Sequence, residues 1–123
     1  MGTLKLNTIS NLAGTKTVPS ETAIAGSAKA WVNFNGTGTV AIRDSFNVTS
    51  ITDNGTGDYT VNFTTAMANT NYCFQGTAGQ GGTGYSFVSA EYAGTVSAKR
   101  FLVITHAGAA NDATEVHLAI FSN

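Results

Sequence analysis

A chain of 123 residues is long enough for one modest hydrophobic core and too short for two ordinary domains. Charged residues make up 11% of it, against about 25% in typical soluble proteins, and the formal net charge is −1, so no cluster of Lys and Arg is present to neutralise phosphates and nucleic-acid binding is disfavoured. The single cysteine, Cys73, excludes an internal disulfide framework and a Cys-rich metal centre, and apolar runs of about five to eight residues fall short of the roughly twenty that a membrane-spanning helix requires.

The first 28 residues differ in texture from the rest. MGTLKLNTIS carries one lysine and no continuous apolar core, so it does not read as a secretory signal, and the product is expected first in the cytoplasm of the cell that makes it. Gly2 opens a myristoylation pattern that fails at Leu6, where Ser or Thr is needed. Leu4, Leu6, Ile9 and Leu12 are separated by polar residues, and AGTKTVPSETAIAGSA then runs without clear periodicity. This predicts a short strand followed by an extended arm, with Pro19 placed where its missing N–H costs a sheet nothing. Such a segment cannot fold alone. It is either a flexible terminus or an assembly arm ordered against another subunit through those four apolar residues.

From Lys29 the period becomes two. Ala30, Val32 and Phe34 share one side of a strand, with Trp31 and Asn33 on the other. NGTG at 35–38 turns the chain, Val40 and Ile42 continue the pattern, and Phe46 and Val48 share a face. Ile51 has the opposite parity, which predicts a bulge near Thr49 and Ser50. DNGTGD at 53–58 is a strong hairpin signal, because Gly and Asn supply the φ > 0 conformations of tight turns. Tyr59, Val61 and Phe63 then alternate with Thr60, Asn62 and Thr64, one face in the core and one in water.

Further strands are predicted at Tyr72–Gln75, Tyr85–Tyr92, Arg100–Thr105 and Glu115–Phe121, with a glycine-rich loop at 76–84. Phe101, Leu102, Val103 and Ile104 are all apolar, so that segment is covered on both faces, by a central position or by a subunit contact. Val116, Leu118 and Ile120 point inward in the last strand. No segment has convincing helical periodicity with caps. The expectation is an all-β fold, an antiparallel β-sandwich or jelly-roll-like domain of about seven or eight strands over 29–123 with an arm over 1–28.

Candidate sites are sparse. Gly79–Gly84 matches G-x-G-x-x-G, but a strand follows instead of a helix and no acidic residue lies at the required distance, so no dinucleotide cofactor is expected. Asp53, Asn54 and Asp58 offer oxygen ligands for calcium, yet the EF-hand spacing and closing glutamate are missing, and a turn held by local side-chain bonds is the better reading. His106 and His117 lie in or beside the last two strands and would approach one another if these pair, without a nominated nucleophile or carboxylate. Cys73 reads as a small buried hydrophobe in a strand. Four N-x-S/T sequences follow from an Asn- and Thr-rich composition and are discounted. No catalytic, cofactor-binding or metal-binding residue is nominated, and the chain does not read as an enzyme. Trp31, Tyr85 and Tyr92 beside Asn-rich turns suit a sugar-binding surface, although the position of Trp31 next to Val32 and Phe34 favours a core or interface role.

The segment KAWVNFNGTGTVAIRDSFNVTSITDNGTGDYTVNFTTAM at 29–67, and the opening GTLKLNTISNLAG, resemble bacteriophage tail-fibre and virion appendage proteins, especially those of marine and cyanobacterial phages. The two cover roughly half of the chain; the part from Asn71 onward carries no such likeness. The resemblance implies a virion structural protein, made in the cytoplasm of an infected bacterial cell. It is expected to form a homotrimer and to contact other virion proteins through the arm. It also implies receptor-facing loops around 76–84 and 107–114, with Gln80, Thr83, Tyr85, Asn111 and Asp112 placed to meet a host-surface glycan. The alternative is a capsid decoration or cement protein with no receptor role; a small cytoplasmic enzyme is least supported.

Overall fold

The structure is a computed structural model that describes residues 2–80, 84–90 and 92–123. After a small N-terminal unit come eight strands: β3 (Ala28–Asn35), β4 (Ala41–Phe46), β5 (Val48–Gly55), β6 (Asp58–Phe63), β7 (Cys73–Gln80), β8 (Gly84–Ser89), β9 (Ala98–Thr105) and β10 (Glu115–Phe121). They form one antiparallel sheet in the order β4-β3-β10-β7-β8-β9-β6-β5. The sheet curls until its two edge strands, β4 and β5, touch, so its halves face one another across a core like the layers of a sandwich. The all-β antiparallel class and the strand number are those the alternation predicts.

Inward positions follow the period of two. Ala30, Val32 and Phe34 of β3, Tyr59, Val61 and Phe63 of β6, Phe101 and Val103 of β9, and Val116, Leu118 and Ile120 of β10 are all buried. Phe34 reaches across to Tyr59, with ring centroids 5.3 Å apart and edge-on, while Phe74 of β7 lies 5.6 Å from Phe101. Such aromatic pairs each add about 0.5–1.5 kcal/mol beyond the area they bury. β9 lies inside the sheet between β8 and β6, but only Phe101 and Val103 of its apolar run are buried; Leu102 and Ile104 face outward and are half-buried, so the chain's own sheet does not cover both faces of this strand as expected.

The bulge expected near Thr49 is present, because the register steps from Val48 opposite Phe63 to Ser50 opposite Asn62. The hairpin at 53–58 closes with Gly55 opposite Asp58. Gly57 adopts φ +64°, and a Cβ there would stand 2.5 Å from both Asn111 N and Val103 O, so this turn is also a packing point that admits no side chain.

Four expectations need correction. Residues 76–80 continue β7, so they are not a loop: a Cβ on Gly76 would stand 2.8 Å from Leu118 and from Val88, and the glycine leaves those two neighbours room to fill the core. Phe46 and Val48 do not share a face, because Asn47 between them takes φ +55° and turns the chain from one sheet edge to the other. Val48 packs on the core, whereas Phe46 is 54% exposed. The strand predicted to run to Tyr92 ends at Ser89. The N-terminal segment is not an extended arm but a hairpin, β1 (Thr8–Ser10) with β2 (Thr17–Pro19), followed by a short helix α1 (Ser20–Gly26). Asn11 and Gly14 make its turn: Gly14 N–H donates to Asn11 O at 2.9 Å, Lys16 N–H donates to Asn11 Oδ1 at 3.0 Å, and Gly14 sits at φ +70°.

Asn47 holds the two sheet edges together at their corner. Its Nδ2 donates to Lys29 O at 2.9 Å and to Thr65 O at 3.1 Å, and its Oδ1 accepts from Thr65 N–H at 2.7 Å. One αL asparagine therefore fastens the β4–β5 corner to β3 and to the segment after β6, and Asn tolerates that conformation better than any β-branched residue.

Candidate functional site

The outer surface of the barrel falls into three parts. Over β5 and β6 the polar side chains bond to one another. Asn62 Nδ2 donates to Ser50 Oγ at 3.1 Å and to Thr52 Oγ1 at 2.9 Å, Asn54 Nδ2 donates to Thr60 Oγ1 at 2.9 Å, and the Thr49 and Thr64 hydroxyls are 3.0 Å apart. At the same edge Arg100 grips Asp58 with Nε at 2.9 Å and Nη2 at 2.5 Å, and its guanidinium lies 4.3 Å from the Tyr92 ring centroid. The Arg100 hydrogen bonds hold the Asp58 carboxyl below its ordinary value, against an opposing effect of burial.

The second part is apolar. On β8 and β9, Phe87 stands opposite Ile104 and Ser89 opposite Leu102, all on the outer side since their neighbours Val88 and Val103 face in. Phe87 is 53% exposed and Tyr85, at the start of β8, 80%. Ile104 and Leu102 are half-buried.

The third part, on β4, β3, β10 and β7, mixes aromatic, polar and small residues. In register across it run Phe46, Trp31, Ala119 and Gln75, and beside them Asp44, Asn33, His117 and Thr77. A shallow groove of about 240 Å³ follows β7 and β10, lined by Gln75, Gly76, Thr77, His117, Leu118 and Ala119. Gln75 reaches only the Cys73 sulfur, at 3.7 Å, His117 stands 3.9 Å from Glu115, and among the described residues the Thr77 side chain has no hydrogen-bond partner. Arg43 bridges Asn33 Oδ1 at 3.1 Å and Thr114 O at 2.5 Å along one border.

The nominated residues disperse over these parts. Trp31 is not in the core: it is 37% exposed on the third surface, where strand parity put it with Asn33. Cys73 is exposed as well, since it shares the outward parity of Gln75 and Thr77. His106 and His117 do not come together, because β10 pairs with β3 and β7 while β9 pairs with β6 and β8. Asp53, Asn54 and Asp58 serve the turn: Asp53 Oδ1 accepts from Gly55 N–H at 3.0 Å and Asn54 Nδ2 donates to Asp58 Oδ1 at 3.3 Å.

Of the loop residues, Tyr85 projects outward, Thr83 lies outside the described residues, and of Gln80 the backbone ends β7. Asn111 and Asp112 are turned to the protein's own groups. Asn111 Nδ2 donates to Ser86 Oγ at 3.0 Å. Asp112 Oδ1 accepts from Gly57 N–H at 2.7 Å and lies 2.6 Å from the Tyr59 hydroxyl, which is also 2.8 Å from the Gly36 carbonyl. Burial first, then the Asp112 hydrogen bond and charge, push the Tyr59 phenol well above its ordinary value. That loop is a clasp over one end of the core.

A wider concavity, about 630 Å³, lies at the opposite corner beside Phe46, Asn47 and Met67, where β3 begins. Its one cationic side chain, Lys29, is bonded to Ile24 O and to Ser27 Oγ. No Asp, Glu, His or Cys side chain stands among its lining residues to activate the Ser and Thr hydroxyls there. In the N-terminal unit, Leu4, Leu6 and Ile9 line a groove with Ile24, and they are 81%, 51%, 47% and 55% exposed; Leu12 stands apart at the β1–β2 turn, fully exposed. Sequence reasoning missed Phe46, Phe87 and Gln75, although strand parity would have placed the last two outward once the strand limits were known. Compared with protein-family profiles, with characterised proteins and with solved structures, the chain matches none.

Proposed function

We propose that the protein is a virion structural component, a small tail fibre or appendage that assembles on the phage particle and meets a glycan on the host surface. The support is the sequence resemblance of residues 2–14 and 29–67 together with a pattern of surface that asks for partners. The observation that carries it is the uncovered apolar surface in two separate places: the Leu4, Leu6, Ile9 and Ile24 groove of the N-terminal unit, and the Phe87, Leu102 and Ile104 strip on β8–β9. Apolar side chains gathered in this way are the usual mark of association sites. In this reading the N-terminal unit docks to a larger virion protein, and the β8–β9 strip joins copies of the chain into a homotrimer.

Immunogold labelling of purified phage particles tests the location. Label on the tail supports the appendage, label on the head supports a decoration protein instead, and unlabelled particles reject a virion role. Mass measurement in solution tests the trimer: a Phe87→Ser, Ile104→Ser pair should convert trimer to monomer, and a wild-type chain that is monomeric at all concentrations rejects it.

A further inference from the structure

The β3–β10–β7 surface differs from the other two in a way that points to a ligand. Its hydrogen-bonding side chains, Gln75, Thr77 and His117, are exposed and barely engaged with the protein, and they border a groove whose floor is the small residue Ala119. On the far side of Ala119 stands Trp31, and beyond it Phe46. The result is an aromatic edge, a shallow trough and a polar edge, all held on strands of the barrel and so fixed in position. From this arrangement we infer that the outer face of β3, β10 and β7 is a saccharide-binding site, with Trp31 as the stacking platform and Gln75, Thr77 and His117 as the hydroxyl-binding rim.

A pyranose ring has one face of C–H groups and a rim of hydroxyls. The indole face satisfies the first without desolvating a charge, and an amide, a hydroxyl and an imidazole offer donors and acceptors for the second. Other occupants fit less well. A second copy of the chain would have to desolvate Gln75, Thr77, His117 and Asp44, whereas the apolar β8–β9 strip is available for that purpose. A nucleic acid would meet Asp44 and Glu115 as well as Arg43, with no net positive field. This inference deepens the host-contact part of the proposed function and rests on it. It also moves that contact from the 107–114 loop, whose Asp112 is occupied in holding Tyr59, to a sheet face.

The test uses the full chain on an array of bacterial lipopolysaccharide O-chain and capsular oligosaccharides. Wild type should bind a subset of them. Trp31→Ala should lose about tenfold or more in affinity for that subset, the Gln75→Ala, Thr77→Ala pair should lose a similar amount, and Tyr85→Ala should bind as wild type does. Circular dichroism melts accompany each variant, and the Gln75, Thr77 pair decides the matter if Trp31→Ala does not fold. Wild type that binds no saccharide, or binding that survives Trp31→Ala and the rim pair but is lost with Tyr85→Ala, overturns the inference. A Trp31→Ala chain that changes oligomeric mass overturns it too, since the face would then join copies. Immunogold labelling keeps the two levels apart: tail label without saccharide binding leaves the virion reading standing and removes the site, whereas saccharide binding without label does the reverse.

Discussion

The β5–β6 surface and the β3–β10–β7 surface are built from much the same residue types on the same barrel, and they treat them in opposite ways. On the first, Asn and Thr side chains saturate one another, and Arg100 covers Asp58. On the second, Arg43 engages Asn33 at the border, but the Gln75 amide and the Thr77 hydroxyl are left to solvent beside an exposed indole. A polar sheet face can thus be finished or unfinished, and composition does not distinguish the two; only the register of neighbouring strands does. A finished face has little left to offer a ligand, since its donors and acceptors are already engaged.

Substitutions can break or sharpen that contrast. The largest effect is expected at Asn47, which joins the edge strand of one surface to the edge strand of the other. Asn47→Ala removes three hydrogen bonds and places alanine at φ +55°, and denaturant unfolding should show a loss of about 3 kcal/mol. Asn47→Gly, which keeps the backbone conformation easy, should lose less. Next comes Tyr59→Phe, which strips the Asp112 carboxylate of a buried donor; a loss of about 2 kcal/mol is expected. Saccharide binding should be untouched, because the clasp lies away from the β3–β10–β7 groove.

The contrast itself is sharpened by matched truncations. Asn62→Ala should cost about 1 kcal/mol, whereas Gln75→Ala and Thr77→Ala should each stay within about 0.5 kcal/mol of wild type. Equal losses on both surfaces would show that the second is as finished as the first. The smallest effect concerns acid. Asp58, held below its ordinary 3.8 by Arg100, binds its partner in the charged form, so its contribution is complete above that value and is lost as pH falls through the lowered folded value. Melting temperature should therefore decline more steeply below about pH 4 in wild type than in Asp58→Asn, by the modest amount expected of a partly exposed pair.

Much of this architecture can be read along the chain, and the exceptions have physical causes. The alternations at Ala30–Phe34, Tyr59–Phe63 and Val116–Ile120 foretell the core, and the parity of Ile51 foretells the bulge at Thr49. Asn47 defeats the pattern because a single αL residue changes strands without a turn-length gap. Gly76 and Gly79 suggest a loop because local propensity cannot show that Leu118 and Val88 occupy the space above Gly76. The candidate site is harder to read. Trp31 and Gln75 are forty-four positions apart, and nothing local places Ala119 between them; that depends on β10 inserting between β3 and β7.

The chain's only tryptophan stands on the proposed site, and its emission reports saccharide occupancy of that face without a label. Titration of the wild-type chain with an oligosaccharide selected on the array should shift Trp31 emission in a saturable way, with the same midpoint as direct binding and with protection from a soluble quencher. A saccharide that binds while Trp31 emission and quenching stay unchanged would contradict it.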